Sequence, residues 1–324
     1  MMHTFINSPL QIGSLTLPHR LIQGPLAGYS CAPFRELFNI YTPPAYCVSE
    51  MSSAIDILRK HSSQSRYIYR ASTEKHLAYQ ISGNEPHVLA EAAAKLQSLG
   101  ADIIDINCGC PKSKVRKKGA GSALLEDPQK LIAIISRVRA AISIPLTIKI
   151  RIQNNEKDLT LAKQIEDAGA NALIVHGRRW AENYDIPCNW HQIANIKKAI
   201  NIPVIVNGDI RDIFSLRKAL EISECDGFMI SRAGTGKPWL YQDFLNLKAS
   251  DITFDEKLKL FMLHLEGLSR LESEHKAVLQ SKSLVRYYFK KQLDEPLLQQ
   301  FYQLSSLMEI KAFLVKAAHR VSPY

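Results

Sequence analysis

Short apolar runs rich in β-branched residues recur along most of the chain, and amphipathic segments with helical spacing lie between most of them. Such alternation is typical of a parallel sheet, because each helix crosses back over the face of the sheet. Eight strand–helix units over about 240 residues favour a closed barrel, so we predict an α/β fold, a (β/α)8 TIM barrel. The predicted strands are 21–25, 45–49, 77–81, 103–107, 146–150, 172–176, 204–207 and 227–230, and the clearest helices are 85–99, 127–141, 158–168 and 213–222.

The two ends of the chain differ from this pattern. Residues 10–17 are typical of a small hairpin that plugs the barrel floor. Beyond about Asp251 helical spacing takes over, and one long helix is predicted over 255–275, followed by helices over 278–292, 295–304 and 307–320. We therefore divide the chain into a barrel domain, 1–245, and an all-α helical-bundle domain, 246–324.

Composition and charge narrow the class of protein. The chain has 46% hydrophobic and 22% charged residues, as globular proteins do. Its formal net charge of +10 favours a polyanionic partner such as nucleic acid. Six cysteines are too few for a disulfide scaffold, and the sequence has neither a signal-peptide pattern nor an apolar run of membrane-spanning length. We expect a cytoplasmic protein that makes no membrane contact.

Loops after the last two predicted strands are candidates for binding a phosphate. Residues 207–209 and 231–234 offer glycine backbone N–H groups, and Arg232 adds a guanidinium. Both segments are equally compatible with ordinary turns between strand and helix. The eight-strand pattern favours the phosphate site, because barrel enzymes carry their chemistry at strand ends.

Three further strand-end residues have two interpretations each. Lys149 is suited to stabilising negative charge on a reduced flavin, and also to a solvated strand end. The Gln80 amide can bond a flavin carbonyl and a ring nitrogen, or it can be a satisfied polar group at the barrel rim. For His176, a contact with a ligand and a structural role are equally compatible with its position.

Cys108 and Cys110 stand two residues apart after the fourth predicted strand. A shared metal would need a second Cys/His cluster with zinc spacing, which the sequence lacks, so metal binding is disfavoured. A proton-donating thiol needs only one cysteine held against the substrate, and these considerations do not choose between the two. The remaining cysteines are expected to pack as small hydrophobic residues: Cys31, Cys47, Cys188 and Cys225.

A basic run of five charges in seven residues, from Lys112 to Lys118, follows the two cysteines. Such runs are usually solvated surface. Beside a candidate active-site strand, Lys114 and Arg116 can also bind the phosphates of a polynucleotide that presents one base to the site. The position of the run therefore favours RNA over a small substrate.

Together these segments resemble the tRNA-dihydrouridine synthases, a family of flavin enzymes, along the barrel from about Gly24 to Trp239. The similar blocks are GPLAG at 24–28, QISGNEP at 80–86, DINCGCPKSKV at 105–115, GAGSALL at 119–125, IKIR at 148–151, VHGR at 175–178, VNGDI at 206–210 and SRAGTGKPW at 231–239. Each block is short, but eight in the same order form a specific signal. The family's Asn-x-Gly-Cys-Pro motif aligns with residues 107–111 and assigns the catalytic acid to Cys110.

The resemblance implies FMN as cofactor, NADPH as reductant and tRNA as substrate, with the helical domain helping to hold the tRNA. Hydride would pass from flavin N5 to uracil C6 while Cys110 protonates C5, after the base leaves its stack. We also expect no metal, and a protein that acts as a monomer. FMN is expected to be held by Pro25, Leu26, Ala27, Gln80, Lys149, His176, Asn207, Gly208, Asp209, Ser231 and Arg232, and the substrate to be bound by Asn107, Lys114, Arg116 and Arg178.

Several positions depart from the family pattern. Ser231 stands where glycine is usual, Ser30 and Arg179 stand where threonine is usual, and 153–157 lacks the usual tryptophan-containing loop. These departures leave the reaction class intact and leave open which uridine is modified. Other functions compatible with a barrel are a dihydroorotate dehydrogenase, an inert RNA-binding barrel and a phosphosugar enzyme. The basic run and the helical tail disfavour the first, and the last leaves Cys110 without a role.

Overall fold

The computed structural model describes residues 2–290 and 292–321. Within these residues eight parallel strands close into a barrel, which confirms the predicted fold. The barrel closes because β4 pairs with β3 on one side and with β6 on the other. The strands are β1 (Leu10–Ile12), β2 (Leu15–Leu17), β3 (Leu21–Gln23), β4 (Cys47–Val48), β5 (Ser52–Ser53), β6 (Leu77–Ser82), β7 (Ile103–Cys108), β8 (Leu146–Arg151), β9 (Ala172–His176), β10 (Val204–Asn207) and β11 (Gly227–Ile230), of which β1, β2 and β5 lie outside the circle of eight.

Helices surround the barrel and continue beyond it. They begin where the local sequence favours an N-terminus: proline opens the helix after β6, and the Asp127 carboxylate accepts from the backbone N–H of Lys130 (3.1 Å). The helices are α1 (Met2–Ile6), α2 (Ala32–Glu36), α3 (Ala54–Arg59), α4 (Pro86–Ser98), α5 (Ser113–Arg116), α6 (Pro128–Ala141), α7 (Lys157–Asp167), α8 (Trp190–Ala199), α9 (Ile213–Ser223), α10 (Leu240–Asn246), α11 (Phe254–Leu271), α12 (Glu274–Tyr288), α13 (Glu295–Tyr302) and α14 (Leu307–Val321). None of the described helices has the length and apolar character needed to cross a membrane.

The alternation of side chains along each strand separates two cores. Along β7, Ile104, Ile106 and Cys108 pack outward against the helices, while Ile103 packs inside the barrel. The β1–β2 hairpin adds Leu10, Ile12 and Leu17 to the interior core, which confirms that it plugs the floor. Inward positions nearer the carboxyl ends of the strands are polar, so the barrel has an apolar base and a polar top.

The C-terminal helices form a second core, to which Cys31, Leu37 and Trp239 of the barrel part also contribute. The single helix predicted over 255–275 was wrong in its length, because α11 ends at Leu271 and a second helix begins at Glu274. Ser273 causes the break: its backbone is extended and its side chain accepts from the backbone N–H of Lys276, which caps α12. The domain boundary predicted at 245/246 stays a prediction. Met1, Lys291 and 322–324 lie outside the described residues.

The helical domain packs directly on the barrel. Trp239 of the barrel part is buried in the helical core. Arg66 forms ion pairs with Glu50 of the barrel (2.6 Å) and Glu272 of the helical domain (2.5 Å). At Gly236, which has φ +70°, a Cβ atom would lie 2.7 Å from the carbonyl carbon of Tyr287, so the two backbones touch without intervening side chains. The contact places α12 beside the carboxyl ends of the strands.

Candidate active site

A cavity of about 660 Å³ opens at the carboxyl ends of the barrel strands. Because parallel strands all end at one face, residues far apart in sequence meet there. The cavity brings together Cys110, Asn107 and all the residues expected to hold FMN, namely Pro25, Leu26, Ala27, Gln80, Lys149, His176, Asn207, Gly208, Asp209, Ser231 and Arg232. Their assigned roles stay predictions, but the shared location means that one ligand can reach all of them.

Lys149 supplies a buried positive charge on the cavity floor. Its Nζ donates to Asn207 Oδ1 (2.9 Å), and Asn207 Nδ2 in turn donates to the Met229 carbonyl (2.8 Å). Burial lowers the pKa of Lys149 to about 8, opposed by the nearby Asp105 carboxylate. The amine is therefore mainly charged at neutral pH, and it can stabilise negative charge on a ligand in the cavity.

His176 lies beside Lys149 on the floor. Burial, and then the positive charges of Lys149 and Arg151, lower the pKa of His176 to about 2. The imidazole is thus neutral throughout the physiological range. It can donate or accept one hydrogen bond with a ligand without adding charge.

The loops after β10 and β11 form a corner suited to a phosphate. Among the described residues, none accepts a hydrogen bond from the backbone N–H of Gly208, Asp209 or Ile210, nor from that of Arg232 or Ala233. Gly208 has φ +111°, and a Cβ atom there would overlap Cys188 Sγ and lie 2.7 Å from His176 Cδ2, so only glycine fits. These free donors and the exposed Arg232 guanidinium converge on one side of the cavity.

Ser231 stands at this corner with φ −112° and ψ −90°. Because φ is negative, the position does not require the left-handed conformation that favours glycine. Nearby, Tyr184 stacks on Arg232, with 3.7 Å between the guanidinium carbon and the ring centroid. The departure from the family pattern therefore leaves the turn intact.

The two cysteines of the motif lie in different environments. Cys108 is the last residue of β7, points outward into the barrel–helix core and is completely buried, and burial raises its pKa. Cys110 lies past the strand end, is partly exposed and lines the cavity. Of the two thiols, only that of Cys110 reaches the site.

Three residues expected to bind substrate lie outside the cavity lining: Lys114, Arg116 and Arg178. Lys114 is exposed on α5. Arg116 donates to Ser122 Oγ (3.0 Å) and stacks on Trp180 with 3.7 Å to the ring centroid. Because Ser122 Oγ donates to the Cys110 carbonyl (3.0 Å), Arg116 supports the loop that carries the thiol.

Arg178 is not at the surface of the cavity. It is 1% exposed, and its Nη2 donates to both carboxylate oxygens of Asp209, at 2.7 Å to Oδ1 and 2.8 Å to Oδ2. This pair holds the loop after β10 and lowers the pKa of the Asp209 carboxyl, against the effect of its partial burial. In this conformation Arg178 positions Asp209 and does not face a substrate. The local sequence does not predict that the Arg178 side chain is buried. An arginine two residues after the end of a strand is equally compatible with an exposed position.

Other residues of the site were not anticipated. Tyr287 and Lys290 from the C-terminal helical region line the cavity, so this region and the barrel strands build it together. Tyr184 also lines it, from the loop after β9. Asp105 lies buried beneath the floor, where it accepts from Gln80 and Thr147. Hydrophobic spacing carries no signal for Tyr184, Tyr287 and Lys290, but the inward register of Asp105 follows from its place two residues before Asn107.

A closed (β/α)8 barrel with a polar cavity at the carboxyl ends of its strands is organised as a barrel enzyme. A family model described as dihydrouridine synthase matches residues 22–322. The probable tRNA-dihydrouridine synthase 1 of Synechocystis sp. is 36% identical over 95% of this chain and 89% of that protein. The tRNA-dihydrouridine synthase B of Pseudomonas aeruginosa is 42% identical over 73% of this chain and 72% of that protein. The chain belongs to the dihydrouridine synthase family, as its motifs predict, and is an oxidoreductase.

Solved structures agree with the fold. An old yellow enzyme homologue from Zymomonas mobilis superposes with a TM-score of 0.59, covering 76% of this chain and 94% of that chain at 13% identity. Morphinone reductase in complex with tetrahydroNAD superposes with a TM-score of 0.54, covering 76% and 92% at 14% identity. At such identities the likeness concerns the barrel alone.

Proposed function

We propose that this protein is a tRNA-dihydrouridine synthase that uses FMN and NADPH to reduce the C5–C6 bond of a uridine in tRNA. The observation that carries the proposal is that the motif cysteine, a buried charged lysine and a corner of free backbone N–H groups line one cavity. Membership of the family supplies the reaction class, and its relatives named tRNA-dihydrouridine synthase supply the substrate.

The donor set fits FMN. A flavin needs hydrogen-bonding groups around a planar ring and an anion site for its phosphate. Gln80, Lys149 and His176 offer such groups on the floor, and the free N–H groups at 208–210 and 232–233 offer the anion site. The volume of the cavity, about 660 Å³, is within the range of cofactor sites.

In the proposed reaction some residues bind the cofactor and one donates a proton. When bound, FMN would supply the hydride for uracil C6, with NADPH as the source of its electrons. Cys110 then donates its thiol proton to C5, so that hydride and proton together saturate the double bond. Lys149 holds positive charge beside the ring, and the neutral His176 adds a hydrogen bond without charge. Arg116 donates to Ser122 Oγ, which donates to the Cys110 carbonyl, and these two contacts hold the Cys110 backbone in place.

A tRNA substrate accounts for the mouth of the cavity. Lys112 and Lys290 line it from opposite domains, and Tyr184 and Tyr287 present partly exposed rings there. A base that has left its stack is commonly held by such aromatic faces, and the phosphates next to it by lysines. The net charge of +10 adds a general attraction for the polynucleotide.

The test joins a spectrum with a genetic experiment. The purified protein should be yellow, with flavin bands at about 370 and 450 nm. tRNA from a strain that lacks the gene should lose dihydrouridine at one or a few positions, and the intact gene should restore it. A colourless protein, or flavin bleached rapidly by dihydroorotate, would refute the proposal. The position lost identifies the uridine that is modified.

A further inference from the structure

Asp105 is a buried carboxylate for which the proposed reaction has no use. It is 0% exposed and faces the barrel interior from β7. The strand register sets it between Gln80 on β6 and Thr147 on β8. Its two oxygens accept separately, Oδ1 from Thr147 Oγ1 (2.6 Å) and Oδ2 from Gln80 Nε2 (2.7 Å). The carboxylate therefore controls a neighbour that lines the cavity.

These contacts fix which end of the Gln80 amide points which way. The oxygen and nitrogen of an amide have nearly the same shape, so only hydrogen-bond partners set its orientation. An ionised Asp105 accepts and cannot donate, so the nitrogen must face it. Asn107 Nδ2 donates to Gln80 Oε1 (2.9 Å), which requires the same orientation. Gln80 is left with one N–H and one oxygen lone pair to offer a ligand.

The chain of hydrogen bonds continues to the catalytic loop. Asn107 Oδ1 accepts from the backbone N–H of Cys110 (2.9 Å) and, more weakly, from that of Gly109 (3.3 Å). Both ends of the Asn107 amide are thus engaged within the protein, and its expected contact with substrate would have to share them. The path Asp105–Gln80–Asn107–Cys110 joins the floor to the thiol-bearing loop.

We propose that Asp105 is a positioning residue that fixes the donor–acceptor polarity of Gln80 toward the flavin ring and, through Asn107, the backbone of Cys110. The inference rests on the proposed function, because it takes FMN as the ligand. A merely structural Asp105 would stabilise the barrel interior through Gln80 and Thr147 alike. A positioning Asp105 acts on the cavity through Gln80 only.

The experiment compares Asp105→Asn with Thr147→Val. Both are close in shape to the native side chain. Asp105→Asn replaces a carboxylate that accepts at both oxygens with an amide that accepts at one end and donates at the other, so the floor no longer requires the Gln80 nitrogen and only Asn107 still does. Thr147→Val removes one hydrogen bond to the carboxylate and leaves the Asp105–Gln80 contact intact. The readouts are the dissociation constant of FMN, measured by titrating the apoprotein, and the visible spectrum and midpoint potential of the bound flavin.

For Asp105→Asn we expect FMN affinity to fall about tenfold, the effect of one misdirected buried hydrogen bond. The spectrum and the midpoint potential should shift as well. Thr147→Val should change affinity by no more than about twofold and leave both signals in place. Equal effects of the two variants, or a native spectrum and affinity in Asp105→Asn, would overturn the inference.

A second readout is independent of flavin. It is the rate at which iodoacetamide alkylates Cys110 in the apoprotein, measured by mass spectrometry of the peptide. This rate should differ from wild type in Asp105→Asn and equal that of wild type in Thr147→Val. If the wild-type apoprotein binds no FMN, the proposed function is wrong. A wild-type alkylation rate in Asp105→Asn refutes the link between Asp105 and Cys110, whether or not FMN binds. Flavin binding that is equal in wild type and variant refutes only the role of Asp105.

Discussion

The floor and the mouth of the cavity are built differently. On the floor, Gln80, Asn107 and Lys149 are buried, and each makes a short hydrogen bond to another side chain. At the mouth, Tyr184 is 57% exposed and Tyr287 is 39% exposed. The Arg232 guanidinium stacks on the Tyr184 ring, and Tyr29 contacts the Tyr287 ring edge to face.

The difference matches the two kinds of partner. A rigid ring that binds the same way each time is served by a preorganised floor, where donors are fixed before the ligand arrives. A large polyanion presents different groups along its length, so exposed rings and exposed cations suit it better. Substitutions on the floor should therefore affect the cofactor, and substitutions at the mouth should affect tRNA.

The largest effect is expected at Cys110, where floor and mouth meet. Cys110→Ala should lower turnover by about 10²- to 10⁴-fold, the loss typical of removing a general acid, while FMN and tRNA binding stay native. Single-turnover oxidation of the reduced enzyme by tRNA measures this. Cys108→Ala is the control: its thiol is buried away from the cavity, so activity should stay close to wild type. Native turnover in Cys110→Ala would remove it from the acid role.

The second effect concerns how the free energy of unfolding depends on pH through Asp105, which lies beneath the cavity floor. Burial raises the pKa of Asp105 to about 6 from an ordinary value of 3.8, so between these values the folded protein holds a proton that the unfolded chain releases. Wild-type stability should therefore fall as pH rises from about 4 to about 6, by about 3 kcal/mol at most. Asp105→Asn has no such titration. Urea unfolding of both proteins across this range measures the difference, and parallel curves would contradict it.

The third effect tests whether the floor acts on the cofactor alone. Lys149→Met should weaken FMN binding about ten- to hundredfold at neutral pH, because a charged hydrogen-bond donor is removed. The affinity of the apoprotein for tRNA should stay native. Lys218→Met, an exposed lysine on α9, provides the control for removal of one positive charge. A weaker affinity for tRNA in Lys149→Met would break the division between floor and mouth.

The smallest effect is expected from the basic run. Lys114→Glu with Lys117→Glu should weaken tRNA binding several-fold and reduce its salt dependence by about one unit of slope for each phosphate that is no longer neutralised. Arg116 is left intact, because it supports the Cys110 loop. Arg217→Glu with Lys218→Glu, two exposed positions on α9, makes the same change of charge elsewhere. Equally weakened binding in both pairs would show that only total charge matters.

Much of the barrel could be predicted, because buried parallel strands are nearly continuous apolar runs and their ends were marked by polar residues. Local signals also indicated the cavity residues on β6, β8, β9 and β10. The break at Glu272 was missed because it has neither glycine nor proline, and only Ser273 marks the new helix. The burial of Arg178 against Asp209 and the position of Tyr287 at the cavity depend on contacts between segments far apart in sequence. The periodicity of hydrophobic residues does not predict such contacts.

The contact of Gly236 with the Tyr287 backbone has a consequence for how the substrate arrives. With no side chains between the two backbones, a shift of α12 toward the barrel would bring main-chain atoms into collision. The wall of the cavity that α12 provides cannot close on its substrate in that direction. For the proposed tRNA substrate we therefore expect the RNA to supply much of the deformation that brings a stacked uridine into the cavity.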